Sequence, residues 1–144
     1  MKKEIAVIGS GFSSLASACY LAQSGHQVTL YEKNATIGGR ARQLKADGFT
    51  FDMGPSWYWM PDVFEKFFAD FGKKPSDYYH LIKLSPAYRV YFGANDAIEI
   101  ADDFAKIVET FDAIEPGSGK KLTKFINRAR ENYRIAMTDL VYRP

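Results

Sequence analysis

The six residues Gly-Ser-Gly-Phe-Ser-Ser, numbered 9–14, have the glycine spacing of a turn that binds phosphate groups. A glycine at position 9 allows a tight turn. Gly11 lacks a Cβ, so a pyrophosphate can approach the backbone amides at the positively polarised start of a following helix. The third position of this pattern usually holds glycine or alanine. For Ser14 we expect a slight separation of helix and strand, or a local hydroxyl hydrogen bond. The residues predicted to contact the phosphates are Gly9, Gly11, Phe12, Ser13 and Ser14.

The flanking elements decide what this spacing means, because a glycine-rich turn is also common in ordinary loops. Residues 4–8 form a nearly continuous apolar run, which predicts a strand buried on both faces. Residues 14–24 carry small and apolar side chains at helical spacing, Gly25 stands where a helix ends, and residues 27–32 predict a second strand. Strand, glycine turn, helix and strand form a βαβ unit, so the sequence predicts a dinucleotide site rather than a plain turn.

Glu32 ends the second predicted strand, roughly twenty residues beyond the glycine turn. A carboxylate at this place can accept hydrogen bonds from both hydroxyls of an adenosine ribose, and it would repel a 2′-phosphate. We therefore predict that Glu32 and the neighbouring Lys33 contact the cofactor. The alternative is a solvated glutamate at the end of a strand.

A second glycine-rich segment, Gly38-Gly39-Arg40, follows shortly after the second strand. An ordinary NAD-binding unit has no need of a double glycine and an arginine there, so the segment favours FAD over NAD. The two glycines permit close approach of the backbone, and Arg40 offers a planar, permanently charged set of donors to a pyrophosphate oxygen. Arg42 is either a second neighbour of the phosphates or an exposed arginine on a strand.

The combination of Glu32 with the Gly-Gly-Arg segment resembles the flavin-containing amine oxidase and phytoene desaturase superfamily. A narrower resemblance lies in residues 48–64, GFTFDMGPSWYWMPDVF, supported by residues 84–92, LSPAYRVYF. These segments resemble the phytoene desaturase and carotenoid oxidoreductase family, and the resemblance covers essentially the whole chain.

The resemblance implies an FAD-dependent oxidoreductase that removes a hydride from an unactivated allylic position of phytoene and introduces conjugated double bonds. A quinone or oxygen then reoxidises the flavin. It also places Asp52, Gly54 and Pro55 near the flavin. No general acid, base or nucleophile is identifiable, which suits a site where the protein chiefly binds, orients and excludes water. An isomerase, a saturase or a carotenoid oxidase on the same scaffold, or a non-catalytic FAD-binding fragment, remain alternatives.

The aromatic run Trp57-Tyr58-Trp59 has two equally weighted interpretations. These side chains line an apolar substrate channel or touch the bilayer in which a long polyene dissolves, or else they form the core of the second domain. The first interpretation predicts a polyene substrate and a membrane surface as partners.

The predicted fold class is α/β: a Rossmann-like FAD-binding βαβ unit over residues 1–60, then the beginning of an α+β substrate domain over residues 61–144, in a chain that we expect to be truncated. The remaining predicted elements are a hairpin over residues 43–51 turning at Asp47 and Gly48, a helix over 61–71, a hairpin with strands 88–92 and 97–100, a helix to about 113 capped by Asp102 or Asp103, and a final helix over 121–142.

Composition excludes several other classes of protein. With 47% hydrophobic and 25% charged residues and a net charge of +2, the 144 residues are typical of a globular chain without a dedicated nucleic-acid surface.

The single cysteine, Cys19, excludes an intrachain disulfide and is predicted to be a small buried residue of the first helix. Neither histidine has a partner at metal-ligand spacing, so no metal site is expected. The sequence shows no signal peptide and no membrane span, which predicts a cytoplasmic protein. The polyene substrate that the resemblance implies adds peripheral attachment to the inner face of the membrane as an expectation.

Overall fold

The computed structural model describes residues 1–54 and 57–141. The chain divides into two compact units, Met1–His80 and Leu81–Pro144. From the sequence we predict a soft boundary near residue 60, which is about one helix before the boundary between these two units. The difference arises because the helix that begins at Pro61 packs on the first helix of the chain and so belongs to the first unit.

The first unit begins with strand β1 (Glu4–Ile8), helix α1 (Phe12–Gln23) and strand β2 (Gln27–Tyr31). The two strands pair in parallel, from Glu4 opposite Gln27 to Ile8 opposite Tyr31. This arrangement confirms the predicted βαβ unit and its Rossmann-like fold class. Helix α1 begins two residues earlier than predicted, because Gly11 rather than a later residue is its N-cap.

The sheet of β1 and β2 is less covered than its apolar sequence predicts. Half-buried residues alternate with exposed ones along both strands. At the ends of the strands, Ile8 is 77% exposed and Tyr31 57% exposed. Two strands and one helix therefore shield these residues incompletely, whereas parallel sheets are normally covered on both faces. Cys19 on α1 is also exposed, so the prediction that it is buried is wrong.

Strands β3 (Gln43–Ala46) and β4 (Phe49–Asp52) form the predicted antiparallel hairpin. Its turn needs two residues with positive φ, and Asp47 and Gly48 have φ of 52° and 81°. Asparagine, aspartate and glycine tolerate this conformation better than other residues. The hairpin is thus confirmed, with its second strand extending one residue further than expected.

Helix α2 (Pro61–Asp70), predicted over residues 61–71, packs aromatic side chains against α1. The ring of Phe64 lies 6.0 Å from that of Phe12, and the ring of Phe67 lies 5.8 Å from that of Tyr20. At the far end of α2, the Tyr20 hydroxyl donates to the Asp70 carboxylate at 2.7 Å, and Gln23 donates to the Asp70 carbonyl at 2.8 Å. Aromatic contacts and two hydrogen bonds therefore fix α2 on α1.

The second unit starts with an antiparallel hairpin of β5 (Tyr88–Gly93) and β6 (Asp96–Ile100). Arg89 and Glu99 lie opposite each other and form an ion pair across the two strands. Ile100 at the end of β6 is only 7% exposed. The hairpin agrees with the sequence prediction, with a register shift near its turn.

Two helices complete the second unit: α3 (Phe104–Ile114) and α4 (Ser118–Ile135). Asp103 caps α3 by accepting a hydrogen bond from the Lys106 amide at 3.1 Å, as one of the two predicted caps. Helix α4 begins three residues earlier than expected, because Asp112 accepts hydrogen bonds from the amides of Gly117 and Gly119 and tightens the connection. A π-helical turn, Ala136–Leu140, follows α4, and the predicted end of this helix near residue 142 lies outside the described residues.

We expect a polypeptide of residues 1–144 on its own to self-associate, because the open face of its two-stranded sheet exposes apolar side chains. Light scattering coupled to size-exclusion chromatography measures this association. Tyr31→Ser removes exposed apolar area and should reduce the association, whereas Thr29→Ser on the same strand should leave it unchanged. A monomer at all concentrations would contradict the expectation.

Candidate functional site

The glycine turn after β1 is joined to the end of β2 through Ser10. Gly9 has a φ of 90°, which favours glycine, and its amide donates to the Tyr31 carbonyl at 2.7 Å. The Ser10 side chain is only 1% exposed. Its amide and hydroxyl both donate to Oε2 of Glu32, at 2.9 and 2.6 Å. The first glycine turn therefore holds the carboxylate that the sequence assigns to a ribose.

The second oxygen of Glu32 is held by Asn34. The backbone amide of Asn34 donates to Oε1 at 2.8 Å, and its side-chain Nδ2 donates at 2.6 Å. The hydrogen bond from the Ser10 hydroxyl, followed by that from the Asn34 amide, lowers the pKa of Glu32 from 4.5 to about 2. The stability that this charge lends the fold is complete above pH 4.5 and is lost as the pH falls toward 2.

The second glycine segment packs against the first. Gly38, with a φ of 108°, donates its amide to the Ser10 carbonyl at 2.9 Å. Gly39 has a φ of 59°, and a Cβ added to it would lie 3.1 Å from the Cα of Gly11. A side chain at position 39 would thus press on the first turn. The short 3-10 turn Gly39–Ala41 that follows carries Arg40.

The two glycine segments and the end of the β3–β4 hairpin enclose an open cleft of about 860 Å³. The cleft is lined by Gly11, Phe12, Ser13, Ser14, Gly38, Gly39, Arg40, Ala41, Arg42, Met53 and Gly54. Its lining therefore includes the start of α1, where no side chain of the described residues caps the helix, so the first backbone amides are without such a partner. Free amides and the positive end of a helix favour an anion such as a phosphate.

The fold itself does not require a glycine at position 11. Its φ of −72° is accessible to any residue. A Cβ added to Gly11 would meet no atom within 4 Å, although Gly11 lines the cleft. A larger side chain would occupy space at the start of α1 that is open to a bound group. This observation fits a dinucleotide whose pyrophosphate approaches the helix.

Two arginines contribute positive charge to the cleft. Arg40 and Arg42 both belong to its lining, and within residues 1–54 and 57–141 neither side chain pairs with a carboxylate. Of the two interpretations of Arg42, the exposed strand position is wrong, because the residue follows the 3-10 turn and is half-buried. Its position two residues after Arg40 was the feature of the sequence that could have indicated its place in the cleft.

Gly54 brings the end of the hairpin close to Arg40. A Cβ on Gly54 would lie 2.7 Å from the Arg40 carbonyl oxygen, and the Met53 amide donates to the Arg42 carbonyl at 3.0 Å. Gly54 therefore permits close packing between two backbone segments that line the cleft. That this glycine also lies near the flavin, as the resemblance implies, stays a prediction.

Other predicted cofactor residues lie beside the cleft rather than in its lining. Three of them are Gly9, in the turn after β1, and Glu32 and Lys33, directly after β2. Ser10 links Glu32 to the cleft. Asp52 ends β4, where its carboxylate accepts a hydrogen bond from the Gln43 side chain at 3.2 Å. Pro55 lies outside the described residues.

The side chains of the aromatic run divide into two environments. Trp57 and Trp59 stack with ring centroids 6.5 Å apart and are 59% and 65% exposed. Tyr58 instead stacks on Phe64 at 4.9 Å, and its hydroxyl is 2.5 Å from that of Tyr79. Partial burial, followed by the hydrogen bond to Tyr79, raises the pKa of Tyr58. Tyr58 thus packs with the aromatic residues of α2, while the two tryptophans form an exposed pair.

Two further kinds of site were sought in the part of the chain that the structure describes. No helix in residues 1–54 or 57–141 is both long and apolar enough to cross a bilayer. In the same residues, no three His, Cys, Asp or Glu side chains are grouped so that they could hold a metal ion.

Comparisons with known proteins agree with this geometry. Residues 7–72 match the family model of an NAD(P)-binding Rossmann-like domain. The chain is 47% identical over 97% of its length to a carotenoid 3,4-desaturase of Haloarcula japonica, and 45% identical over 92% of its length to a 4,4′-diapophytoene desaturase of Staphylococcus aureus. The matches cover 28% and 26% of those relatives, so the chain spans about a quarter of their length.

One solved structure is similar to part of the chain: a CLA-producing fatty acid isomerase from P. acnes. It is 30% identical, the match covers 49% of this chain and 17% of the isomerase chain, and the TM-score is 0.39. That score is too low for a conclusion about the fold. The similarity to the two desaturases, in contrast, extends over nearly all of this chain. It supports the resemblance of the chain to the N-terminal portion of the phytoene desaturase and carotenoid oxidoreductase family.

Proposed function

We propose that this chain forms part of the FAD site of an enzyme that desaturates phytoene-like polyenes in carotenoid biosynthesis. The observation that carries the proposal is the cleft at the start of α1. Among the described residues, amides without a side-chain cap, open space beside Gly11 and two arginines without a carboxylate partner converge there. The names of the two desaturases support the class of reaction. Oxidoreduction of a carotenoid is thus the function that this site serves.

The residues of the cleft fit an FAD. The amides that begin α1 and the guanidinium groups of Arg40 and Arg42 would hold the pyrophosphate. Glu32 would accept hydrogen bonds from the ribose, and its negative charge disfavours NADP. The matching family model describes NAD(P) binding, but the second glycine segment with Arg40 is the feature that favours FAD. When bound, FAD supplies the acceptor for the hydride that leaves an allylic carbon of the polyene, and a quinone or oxygen then takes up the two electrons.

The role of this chain's own residues is to bind and orient the cofactor. The second unit would begin the substrate domain, and the remainder of the catalytic site would come from sequence beyond the quarter that the chain matches. We therefore expect the 144-residue chain to be inactive alone. Anaerobic bleaching of FAD with conversion of phytoene by this chain would contradict that view.

The alternatives on the same scaffold differ in their redox balance. A desaturase reduces its flavin as phytoene in liposomes is converted without oxygen, whereas an isomerase converts a polyene and leaves the flavin oxidised. A saturase consumes reduced flavin, and a carotenoid oxidase introduces oxygen into its product. A non-catalytic FAD-binding fragment converts nothing. Flavin absorbance and product analysis of the full-length protein distinguish these cases, and we expect desaturation.

Gly11→Val should give a folded full-length protein without bound flavin, because the side chain would fill the space beside the helix amides. Gly93→Val is a matched control, since a Cβ added to Gly93 also meets no atom within 4 Å but lies on the β5–β6 hairpin. Flavin absorbance per protein measures the difference. A normal flavin content in Gly11→Val would overturn the assignment of the phosphate site.

Glu32→Ala should weaken flavin retention by about tenfold or more, because charge-assisted hydrogen bonds to the ribose are lost. Flavin release during dialysis, followed by fluorescence, measures the retention. Glu109→Ala, at an exposed position on α3, should release flavin at the wild-type rate. If both variants behave like wild type, Glu32 does not bind the ribose.

The exposed pair Trp57 and Trp59 would contact the polyene or the lipid from which it is drawn, with the protein attached to the cytoplasmic face of the membrane. Replacing both with Ser should reduce liposome binding or polyene turnover while FAD stays bound. Replacing Tyr91 and Phe92, each 65% exposed, with Ser is the matched control and should leave both properties unchanged. Unfolding of the tryptophan variant would instead support the interpretation that these residues form core.

A further inference from the structure

We propose that the Glu32 carboxylate accepts permanent hydrogen bonds from Ser10 and an exchangeable hydrogen bond from the side chain of Asn34. Ser10 is the positioning residue that keeps the carboxylate in place, and the side-chain amide of Asn34 occupies the site of a ribose hydroxyl until the ribose displaces it. This inference rests on the proposed role of Glu32 in binding the adenosine ribose.

The hydrogen bonds around Glu32 leave no free acceptor position. A carboxylate offers about four lone-pair sites in total. Oε2 accepts from the amide and hydroxyl of Ser10, and Oε1 accepts from the amide and Nδ2 of Asn34, all within 2.6 to 2.9 Å. A ribose hydroxyl that donates to Glu32 must therefore replace one of these four donors.

Burial decides which donor yields. Ser10 is 1% exposed, and its carbonyl also accepts the Gly38 amide, so its departure would disturb both glycine segments. The two backbone amides are fixed by the chain. Asn34 is exposed, and its side-chain amide can rotate into water, where it regains hydrogen bonds. The Nδ2 of Asn34 is therefore the donor that can leave at low cost.

This exchange explains how a charged group can be ordered before its ligand arrives. Glu32 keeps three fixed hydrogen bonds throughout, and the fourth passes from an amide of the protein to a hydroxyl of the ligand. The carboxylate is never left with an unsatisfied acceptor, and it need not rotate to meet the ribose. The preference for a ribose over a deoxyribose then depends on Ser10, whereas the Asn34 side chain only competes with the ligand for Glu32.

The experiment compares ADP with 2′-deoxy-ADP and 3′-deoxy-ADP as ligands of the full-length protein after its flavin is removed. Calorimetric titration gives the affinity for each, and the measured quantity is the preference for ADP over the weaker deoxy analogue. We expect a preference of about tenfold in the wild type. A purely structural role for Ser10 would lower all three affinities equally and leave this ratio unchanged.

Ser10→Ala should bring the preference close to one, and Ser10→Thr, which retains the hydroxyl, should restore part of it. Ser24→Ala removes a hydroxyl that bonds to the Tyr20 carbonyl and should keep the wild-type preference. Asn34→Ala should bind ADP several-fold more tightly, because a competing donor is gone, and should bind the weaker deoxy analogue as the wild type does, so that the preference rises by the same factor. This exposed substitution tests the exchange even if Ser10→Ala does not fold.

Equal loss of affinity for all ligands in Ser10→Ala, or weaker ADP binding in Asn34→Ala, would overturn the inference while leaving the ribose assignment intact. A wild-type protein that binds ADP without any preference over either deoxy analogue would overturn the assignment of Glu32 itself, and this inference with it. The two failures are therefore distinguishable.

Discussion

The hydrogen bonds between Ser10 and Glu32 are the constraint on which the rest of the site depends. They join the turn after the first strand to the end of the second strand, and the Ser10 carbonyl extends the connection to Gly38. Three segments that are distant in sequence thus meet at a single residue that is almost completely buried. The open cleft beside them needs such an anchor, because every residue of its lining is half-buried or exposed.

The glycines of the site serve two different purposes, and the structure separates them. Gly39 and Gly54 are required by packing, since a Cβ on either would press on neighbouring backbone. Gly11 meets no such obstacle and has an ordinary backbone conformation, so the space beside it is available to something other than the protein. A glycine that the fold does not need is stronger evidence for a ligand than one that the fold demands.

Sequence patterns predicted the local elements well because their causes are local. The glycine turn, the positive-φ pair Asp47 and Gly48, and the Asp103 cap all act within a few residues. The contacts of Ser10 could not be predicted, because the residue between two glycines obeys no periodic rule and its partner lies 22 residues away. The packing of α2 on α1 could not be predicted for a similar reason, because the sequence does not show which element its aromatic residues contact. Cys19 was wrongly expected to be buried, since helical spacing does not reveal how little of α1 the two strands cover.

The attachment of Asp70 to α1 couples two parts of the first unit mechanically. Tyr20 and Gln23 hold the end of α2 from the last turns of the same helix whose first turn borders the cleft. A rotation of α2 about its own axis would break both hydrogen bonds and separate the edge-to-face aromatic pairs along α1. The helix that begins the phosphate site is therefore also the support on which α2 rests, so a force applied to α2 is transmitted along α1 to the cleft.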